Sequence, residues 1–170
     1  MTIHSGDFER GVRMFEQSIA EYPLALTYRN LAVFWNSEDH RDKAYGYVQK
    51  ALELEPNEPY NQIFAATYLV ELGEEEEAIA IAEKHHGVLA ASYNLAAIYA
   101  QLGERQKAFD YLRRHFYEYE RFDAVRAKEM MEARDDIVFR RYHQDPAFVQ
   151  LTSLADTDAV SYHLAGSGGG

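Results

Sequence analysis

Apolar residues recur along most of the chain at the spacing of an amphipathic helix, in stretches separated by short polar turns. Over residues 59–72 they fall at Ile63, Phe64, Ala66, Tyr68, Leu69 and Leu72, which predicts a helix with a wide buried face. Gly73 predicts the end of this helix. The following "EEEEAIAIAEKHH" predicts a second helix that begins in glutamates, where the helix dipole favours negative charge.

This two-helix pattern recurs in the sequence. "YNLAAIYAQLGERQKAF" repeats "FAATYLVELGEEEEAI" after an interval of about thirty residues. An earlier version reads "ALTYRNLAVFWNSED" followed by "HRDKAYGYVQKALELEPNE". Residues 6–23 match only the second half of a unit. Self-similarity at a fixed interval predicts a repeat architecture made of helix pairs.

The period is lost beyond residue 120. Residues 121–151 still predict helix, and one apolar side is offered by Phe122, Val125, Met130 or Met131, and Ala133. Asp145 followed by Pro146 predicts an N-cap and a first helical residue. Because the last unit of a repeat array exposes its apolar side, we expect these helices to act as a cap. The closing "AGSGGG" predicts a flexible tail.

Composition narrows the classes of function. The chain of 170 residues is 47% hydrophobic, enough for a packed core, and its net charge of −11 disfavours nucleic acid as a partner. The charge is uneven: residues 1–104 hold 7 Lys/Arg against 17 Asp/Glu, whereas residues 105–141 hold 10 against 8. The sequence contains no run of 18 apolar residues, so it predicts no membrane insertion. It also has no apolar stretch near residue 1 that would predict a signal peptide. We expect a cytoplasmic protein.

Candidate chemistry is sparse. The chain has no cysteine, phosphate-binding glycine loop, nucleophile elbow or H-E-x-x-H motif. His85 and His86 are adjacent and point about 100° apart on a helix, which does not suit chelation of one ion. His143 lies close to Asp145 in sequence and could form half of an acid–base pair, but no third member is identifiable. We therefore predict no catalytic, metal or cofactor residues, and keep a metal-dependent or hydrolytic enzyme only as a minor alternative.

The helix pairs resemble the tetratricopeptide repeat, a helix–turn–helix unit of about 34 residues, in its bacterial form with a terminal capping segment. The first full unit carries signature-type residues at Tyr28, Leu31, Ala32, Trp35, Ala44, Val48, Ala51 and Pro56. The third carries Leu95, Ala96, Tyr99, Gly103, Ala108 and Leu112. Two departures are Asp39, where glycine is usual, and the thirty-residue interval between Gly73 and Gly103, which calls for a short second helix or a tight connection.

The resemblance implies an all-α, right-handed helix–turn–helix solenoid with C-terminal capping helices and a flexible glycine-rich tail. The expected divisions are a half-repeat or capping helix (1–23), three repeats (24–57, 58–87 and 88–120, the second shortened), capping helices (121–154) and the tail (155–170).

The family likeness also implies that the first helix of each unit lines a concave groove that receives a peptide or helix. The residues expected to line it are Leu26, Arg29, Asn30, Val33, Tyr60, Ile63, Thr67, Val70, Tyr93, Asn94, Ala97 and Gln101. Asn30 and Asn94 occupy a position that often hydrogen-bonds the ligand backbone, although they could equally bond their own turns. Only Arg29 fills a cationic position of the carboxylate-binding members, so that mode of binding is disfavoured.

The expected groove is mainly apolar, which suits an amphipathic helix or an apolar peptide. Because only Arg29 and Glu71 bring charge to this face, binding is expected to depend weakly on salt. The sequence thus predicts a non-catalytic adaptor or scaffold with a protein partner and no cofactor. The alternative is a structural fragment that stacks on other repeats or on copies of itself, as a homo-oligomer.

Overall fold

The apolar stretches of the sequence fold into helices, and the polar stretches between them form turns. The computed structural model describes residues 3–154, and every regular element in this range is helical, as predicted. The α-helices are α1 (Ile3–Glu21), α2 (Ala25–Ser37), α3 (Arg41–Leu54), α4 (Pro59–Glu71), α5 (Glu75–Lys84), α6 (Ser92–Gln101), α7 (Arg105–Arg114), α8 (Asp123–Asp135) and α9 (Pro146–Leu151). Shorter elements are 3-10 turns at Leu89–Ala91 and Ile137–Tyr142 and a π-helical turn at His115–Tyr119. The predicted flexible tail, residues 155–170, lies outside the described residues.

The turns after α2, α4 and α6 share one geometry. The residue just past each helix end has a left-handed backbone, with φ of 63° at Asp39, 85° at Gly73 and 79° at Gly103. In each turn the next N–H donates to a carbonyl five residues earlier at 2.9 Å: His40 to Trp35, Glu74 to Leu69 and Glu104 to Tyr99. A second bond, from the left-handed residue to the carbonyl three residues before it, completes a Schellman motif. Within residues 3–154 the chain therefore makes the same turn three times, twice with glycine and once with aspartate.

Each of these turns joins two helices that pack on each other: α2 on α3, α4 on α5 and α6 on α7. Neighbouring pairs meet through α3 with α4 and through α4 with α6. Helix α5 has 10 residues, whereas α3 has 14. The expected short second helix is therefore present, and it accounts for the reduced interval between Gly73 and Gly103. Three of the four glutamates lie in the first turn of α5, while Glu74 is its N-cap.

The buried side chains form two clusters that share helix α4. The N-terminal cluster consists of Leu31, Ala32, Trp35, Ala44, Val48, Phe64, Ala65 and Tyr68. The C-terminal cluster is larger and runs from Ile63 and Ala66 of α4 through α6 and α7 to Leu151 of α9. Tyr60, at the start of α4, is partly buried and packs against both clusters. The two sides of α4 thus belong to two different cores.

The C-terminal segment, which we define as residues 123–154, packs on α6 and α7. The ring of Phe109 in α7 lies 5.3 Å from Tyr142 and 6.2 Å from Phe148, and Phe139 is fully buried. Arg105 donates to Asp145 through Nε (2.7 Å) and Nη2 (3.1 Å). Asp145 also accepts from Ala147 N at 3.0 Å, so the predicted N-cap of α9 is confirmed. The hydrogen bonds from Arg105 hold the pKa of Asp145 below its ordinary value.

The prediction of helix throughout residues 121–151, with one apolar side, is wrong in its details. Helix α8 ends where Asp136 becomes extended (φ −70°, ψ 121°) and its carboxylate caps Val138 N, which starts a 3-10 turn instead. Met130 and Ala133 are buried as expected. Phe122 (74%) and Val125 (40%), however, are exposed, and of the alternatives Met130 and Met131 it is Met130 that is buried.

Helix α1 contacts α2, with Val12 and Ile19 packed against the N-terminal cluster. Its outer side keeps large apolar residues in solvent, because Met14 is 65% and Phe15 is 43% exposed. Tyr22 (70%) and Leu24 (57%) continue this exposed apolar surface into the connection to α2.

Candidate functional site

Three of the predicted groove residues form a continuous row across α2, α4 and α6. The guanidinium carbon of Arg29 lies 4.9 Å from the centroid of the Tyr60 ring, a cation–π contact. The hydroxyl oxygen of Tyr60 accepts a hydrogen bond from Asn94 Nδ2 at 3.2 Å. The first helices of three successive units are thereby linked by side chains, and we name this contact chain the Arg29–Tyr60–Asn94 row.

A buried amide beneath the row was not predicted from the sequence. Asn61 is 1% exposed and accepts a hydrogen bond from Arg29. Its Nδ2 donates to the backbone oxygens of Ala51 (3.4 Å) and Glu55 (3.3 Å) and to the Glu55 carboxylate (3.3 Å). Its position in the first turn of a helix, three residues after the N-cap Glu58, was the available signal. Arg29 is therefore held from two sides, by the ring of Tyr60 and by Asn61.

Tyr93 is covered by the C-terminal segment. Its hydroxyl donates to Asp136 Oδ2 at 2.8 Å, and its ring stands edge-on to His115 (5.4 Å) and Phe139 (5.5 Å). Burial, followed by the negative charge of Asp136, raises the pKa of Tyr93. Tyr93 is thus a fixed wall rather than a free surface residue.

A cavity of about 400 Å³ opens beside the row, between α4, α6, the π-helical turn and α8. Its lining is aromatic and acidic: Tyr60, Ala90, Tyr93, Asn94, His115, Tyr119, Glu129 and Glu132. His115 is 6% exposed, and its Nε2 is hydrogen-bonded to the Glu129 carboxylate. Its Nδ1 is buried and has no hydrogen-bond partner among the described residues. The ring of Tyr119 lies 5.5 Å from that of His115. The sequence did not mark Glu129 or Glu132, because residues beyond 120 have no repeat by which to place them.

The other predicted groove residues are not all on the surface. Ile63 and Ala97 are buried, at 0% and 4% exposed, so the expectation that they line a groove is wrong. Both lie in the C-terminal cluster, since α4 and α6 each pack on more than one neighbour. Thr67 is half-buried and donates to the Phe64 carbonyl at 2.6 Å. Leu26 (58% exposed) and Val33 (54%) do lie in solvent on α2, as does Asn30.

Val70 and Gln101 line a second, smaller cavity of about 250 Å³, where the C-terminal segment meets the ends of α4 and α6. Its remaining walls include Arg41, Glu71, Arg140 and Arg141. Burial raises the pKa of Glu71; Arg41 opposes this shift and Asp136 adds to it. The predicted groove thus becomes two separate cavities, because residues 136–142 lie over its third helix.

The histidines considered for acid–base or metal chemistry make other contacts in the structure. His143 Nε2 is bonded to the backbone oxygen of Asp136 at 3.0 Å, whereas Asp145 is taken by Arg105, so the proposed acid–base pair does not form. His85 Nε2 lies 2.5 Å from Gln62 Oε1. Within residues 3–154, no three His, Asp or Glu side chains are grouped in a way that could hold a metal ion.

No protein-family model matches the chain, and no curated protein matches it. Over the part of the chain that the structure describes, none of the helices has the length and apolar character needed to cross a bilayer.

Proposed function

We propose that this protein is a non-catalytic interaction module built from tetratricopeptide-like helix pairs, and that it binds a peptide or an amphipathic helix of a protein partner along α2, α4 and α6. The observation that carries the proposal is the Arg29–Tyr60–Asn94 row, which joins the first helices of three successive units. A surface that runs across repeated units suits an extended or helical ligand.

The apolar contacts of this surface come from α2. Leu26 and Val33 are seven positions apart on one helix and both lie in solvent, so an amphipathic ligand can lay its apolar side on them. Asn30, between them and also exposed, offers a donor and an acceptor to a peptide backbone. The amide of Asn94 is already bonded to Tyr60, so its contribution is to hold the row in place.

Display selection of random twelve-residue peptides on the whole protein tests the proposal. The affinity of a selected peptide is then measured on the wild type and on the double variant Leu26→Asp/Val33→Asp. We expect at least tenfold weaker binding in the variant, equivalent to about 1.4 kcal/mol, because two charges would face the apolar side of the ligand. Leu54→Asp, a half-exposed leucine at the end of α3, is the matched control and should bind as the wild type does. Equal affinity in the double variant, or failure to select any peptide, contradicts the proposal.

The exposed apolar surface of α1 favours a second candidate, self-assembly. Met14, Phe15, Tyr22 and Leu24 lie in solvent on α1 and the connection that follows it, and exposed apolar residues of this kind can bind another copy of the chain. In that case the mass measured by sedimentation equilibrium should rise with concentration, and Phe15→Asp should abolish the rise. A concentration-independent monomer mass excludes this candidate.

A further inference from the structure

We propose that the 400 Å³ cavity beside the Arg29–Tyr60–Asn94 row receives an arginine side chain of the bound partner. This inference rests on the proposed function, which it deepens by naming the residue type that anchors the ligand. It follows from two properties of the cavity: the sign of its charge and its aromatic walls.

The charged groups in the lining favour a cation. Glu129 and Glu132 both line the cavity, and no lysine or arginine lies among the lining residues. Lys128 reaches Glu132 at 3.7 Å, but the two side chains are 77% and 58% exposed. Exposed pairs of this kind contribute little, so an incoming guanidinium can replace Lys128 at small cost.

The walls are aromatic, and a neighbouring contact shows the same chemistry. The tyrosine rings at positions 60, 93 and 119 surround the space, and the faces of such rings attract cations. Tyr60 already carries the guanidinium of Arg29. Tyr93 is held by its hydrogen bond to Asp136 and by T-shaped contacts with two neighbouring rings. Because the Tyr93 side chain is already fixed before a ligand binds, binding costs little additional side-chain entropy there.

His115 fixes one of the two carboxylates. It is more than nine-tenths buried, and the carboxylate of Glu129 accepts from its Nε2. A guanidinium has five N–H donors in a rigid fork, whereas an ammonium is a compact point charge. Two carboxylates beside aromatic rings therefore match arginine better than lysine.

The position of the cavity identifies the arginine as part of a longer ligand. Tyr60 and Asn94 belong to the row and also line the cavity. A peptide that lies along α2 and continues across α4 arrives at the cavity mouth with Arg29 behind it. A basic side chain projecting from that peptide would reach the carboxylates of Glu129 and Glu132.

The probe for the experiment is the capped amino acid N-acetyl-arginine methylamide, titrated into the whole protein and followed by NMR of the tyrosine rings and backbone amides. We expect saturable shifts at Tyr60, Tyr93 and Tyr119, weaker binding of the lysine analogue, and no saturable shifts with the norleucine analogue. Glu129→Gln/Glu132→Gln should weaken arginine binding at least about fivefold, since it removes both carboxylate charges while glutamine can still accept from His115. The control Glu38→Gln/Glu53→Gln makes the same charge change at two exposed positions outside the lining and should bind arginine as the wild type does.

Each result separates this inference from the proposed function. Absence of saturable arginine shifts, or equal shifts in Glu129→Gln/Glu132→Gln, overturns the arginine site. If selected peptides then still need Leu26 and Val33, the interaction module stands without it. Peptides selected on the wild type should also contain arginine more often than peptides selected on Glu129→Gln/Glu132→Gln. Equal arginine content in the two selections counts against the inference.

Discussion

Asn61 shows how much of this structure depends on single buried side chains. Its amide joins Arg29 of α2 to the last turn of α3 and to the beginning of α4, and almost none of it reaches solvent. The residue therefore ties the first helix pair to the start of the second. It also positions the guanidinium that lies on Tyr60.

Asn61→Ala should lower the free energy of unfolding by about 2 kcal/mol. The substitution leaves the half-buried guanidinium of Arg29 without its amide acceptor, which costs roughly 1–3 kcal/mol, whereas the Ala51 carbonyl keeps its bond from Glu55 N at 3.1 Å. Urea denaturation measures the effect. Asn30→Ala, at an exposed position on α2, is the control and should stay within about 0.5 kcal/mol of the wild type. Equal effects of the two substitutions would show that the Asn61 hydrogen bonds contribute no net stability.

Asp145 should make the folded protein less stable at acidic pH than at neutral pH. Its pKa in the folded chain lies below the ordinary value of 3.8, chiefly because Arg105 donates to it. A carboxyl with a depressed folded pKa contributes stability that is complete above its unfolded pKa and is lost as pH falls through the folded one. Asp145→Asn should therefore be less stable than the wild type at pH 7, and the difference should begin to shrink as pH falls through the ordinary value of 3.8 and vanish only below the folded pKa. Urea midpoints at several pH values give this difference, and a gap that does not change with pH would rule out the charge as its source.

At the scale of helices and turns, the three left-handed residues set the geometry of each helix pair. A non-glycine residue in this conformation costs roughly 1–2 kcal/mol, and glycine adopts it freely. Asp39, with φ of 63°, bears this cost, while Gly73 and Gly103 do not. The Asp39–Arg41 ion pair at 3.9 Å is exposed and offsets little of it.

Asp39→Gly removes the backbone strain at this position, and it should raise the free energy of unfolding by up to about 1 kcal/mol. The gain is smaller than the strain itself, because glycine also increases the conformational entropy of the unfolded chain. Gly73→Ala should lower it by about 1 kcal/mol or more. Position 73 is the cleaner site for this test, because an added Cβ would meet nothing within 4 Å there, whereas at Gly103 it would meet the Arg141 side chain. Thermal melts of the two variants give opposite shifts on this account. Shifts of the same sign would mean that these turns are not limited by backbone conformation.

The helix pairs were predictable because their signals are local. Leu31, Ala44 and Ala108 are buried where the repeated pattern puts them, and Gly73 and Gly103 fall at the predicted turns. The path of the C-terminal segment was not predictable. It is set by partners far away in sequence, such as Tyr93 for Asp136 and Phe109 for Phe148.

In the candidate site, too, the residues on repeated helices could be predicted from the sequence, and the residues brought in by distant contacts could not. Arg29, Tyr60 and Asn94 lie on repeated helices, so their shared face could be inferred from the sequence. Glu129 and Glu132 join that face only because α8 packs back across it. The expectation of an almost uncharged binding surface was therefore incomplete.

On the scale of the whole molecule, the C-terminal segment completes the larger core. A chain that ends at residue 121 loses Met130, Phe139 and Phe148, all fully buried, and leaves Phe109 and Leu112 uncovered. Each buried apolar side chain contributes about 1.5–3 kcal/mol against a total stability of typically 5–15 kcal/mol. We expect this truncation to aggregate or to melt well below a reference chain that ends at residue 154. A soluble truncation with an unchanged melting temperature would show that the segment is an independent appendage.

The sharing of α4 between two cores has a dynamic consequence. Helices α2 and α3 rest on the smaller core alone, so they can open locally while α6, α7 and the C-terminal segment stay folded. The Arg29–Tyr60–Asn94 row crosses from one core to the other, and a ligand lying along it would have to release part of its contacts whenever the smaller core opened. Binding would then suppress that opening by mass action, and the exchange of the α2 and α3 amides with solvent would slow in proportion to the ligand concentration over its dissociation constant. The partner would in this way make one cooperative unit out of two.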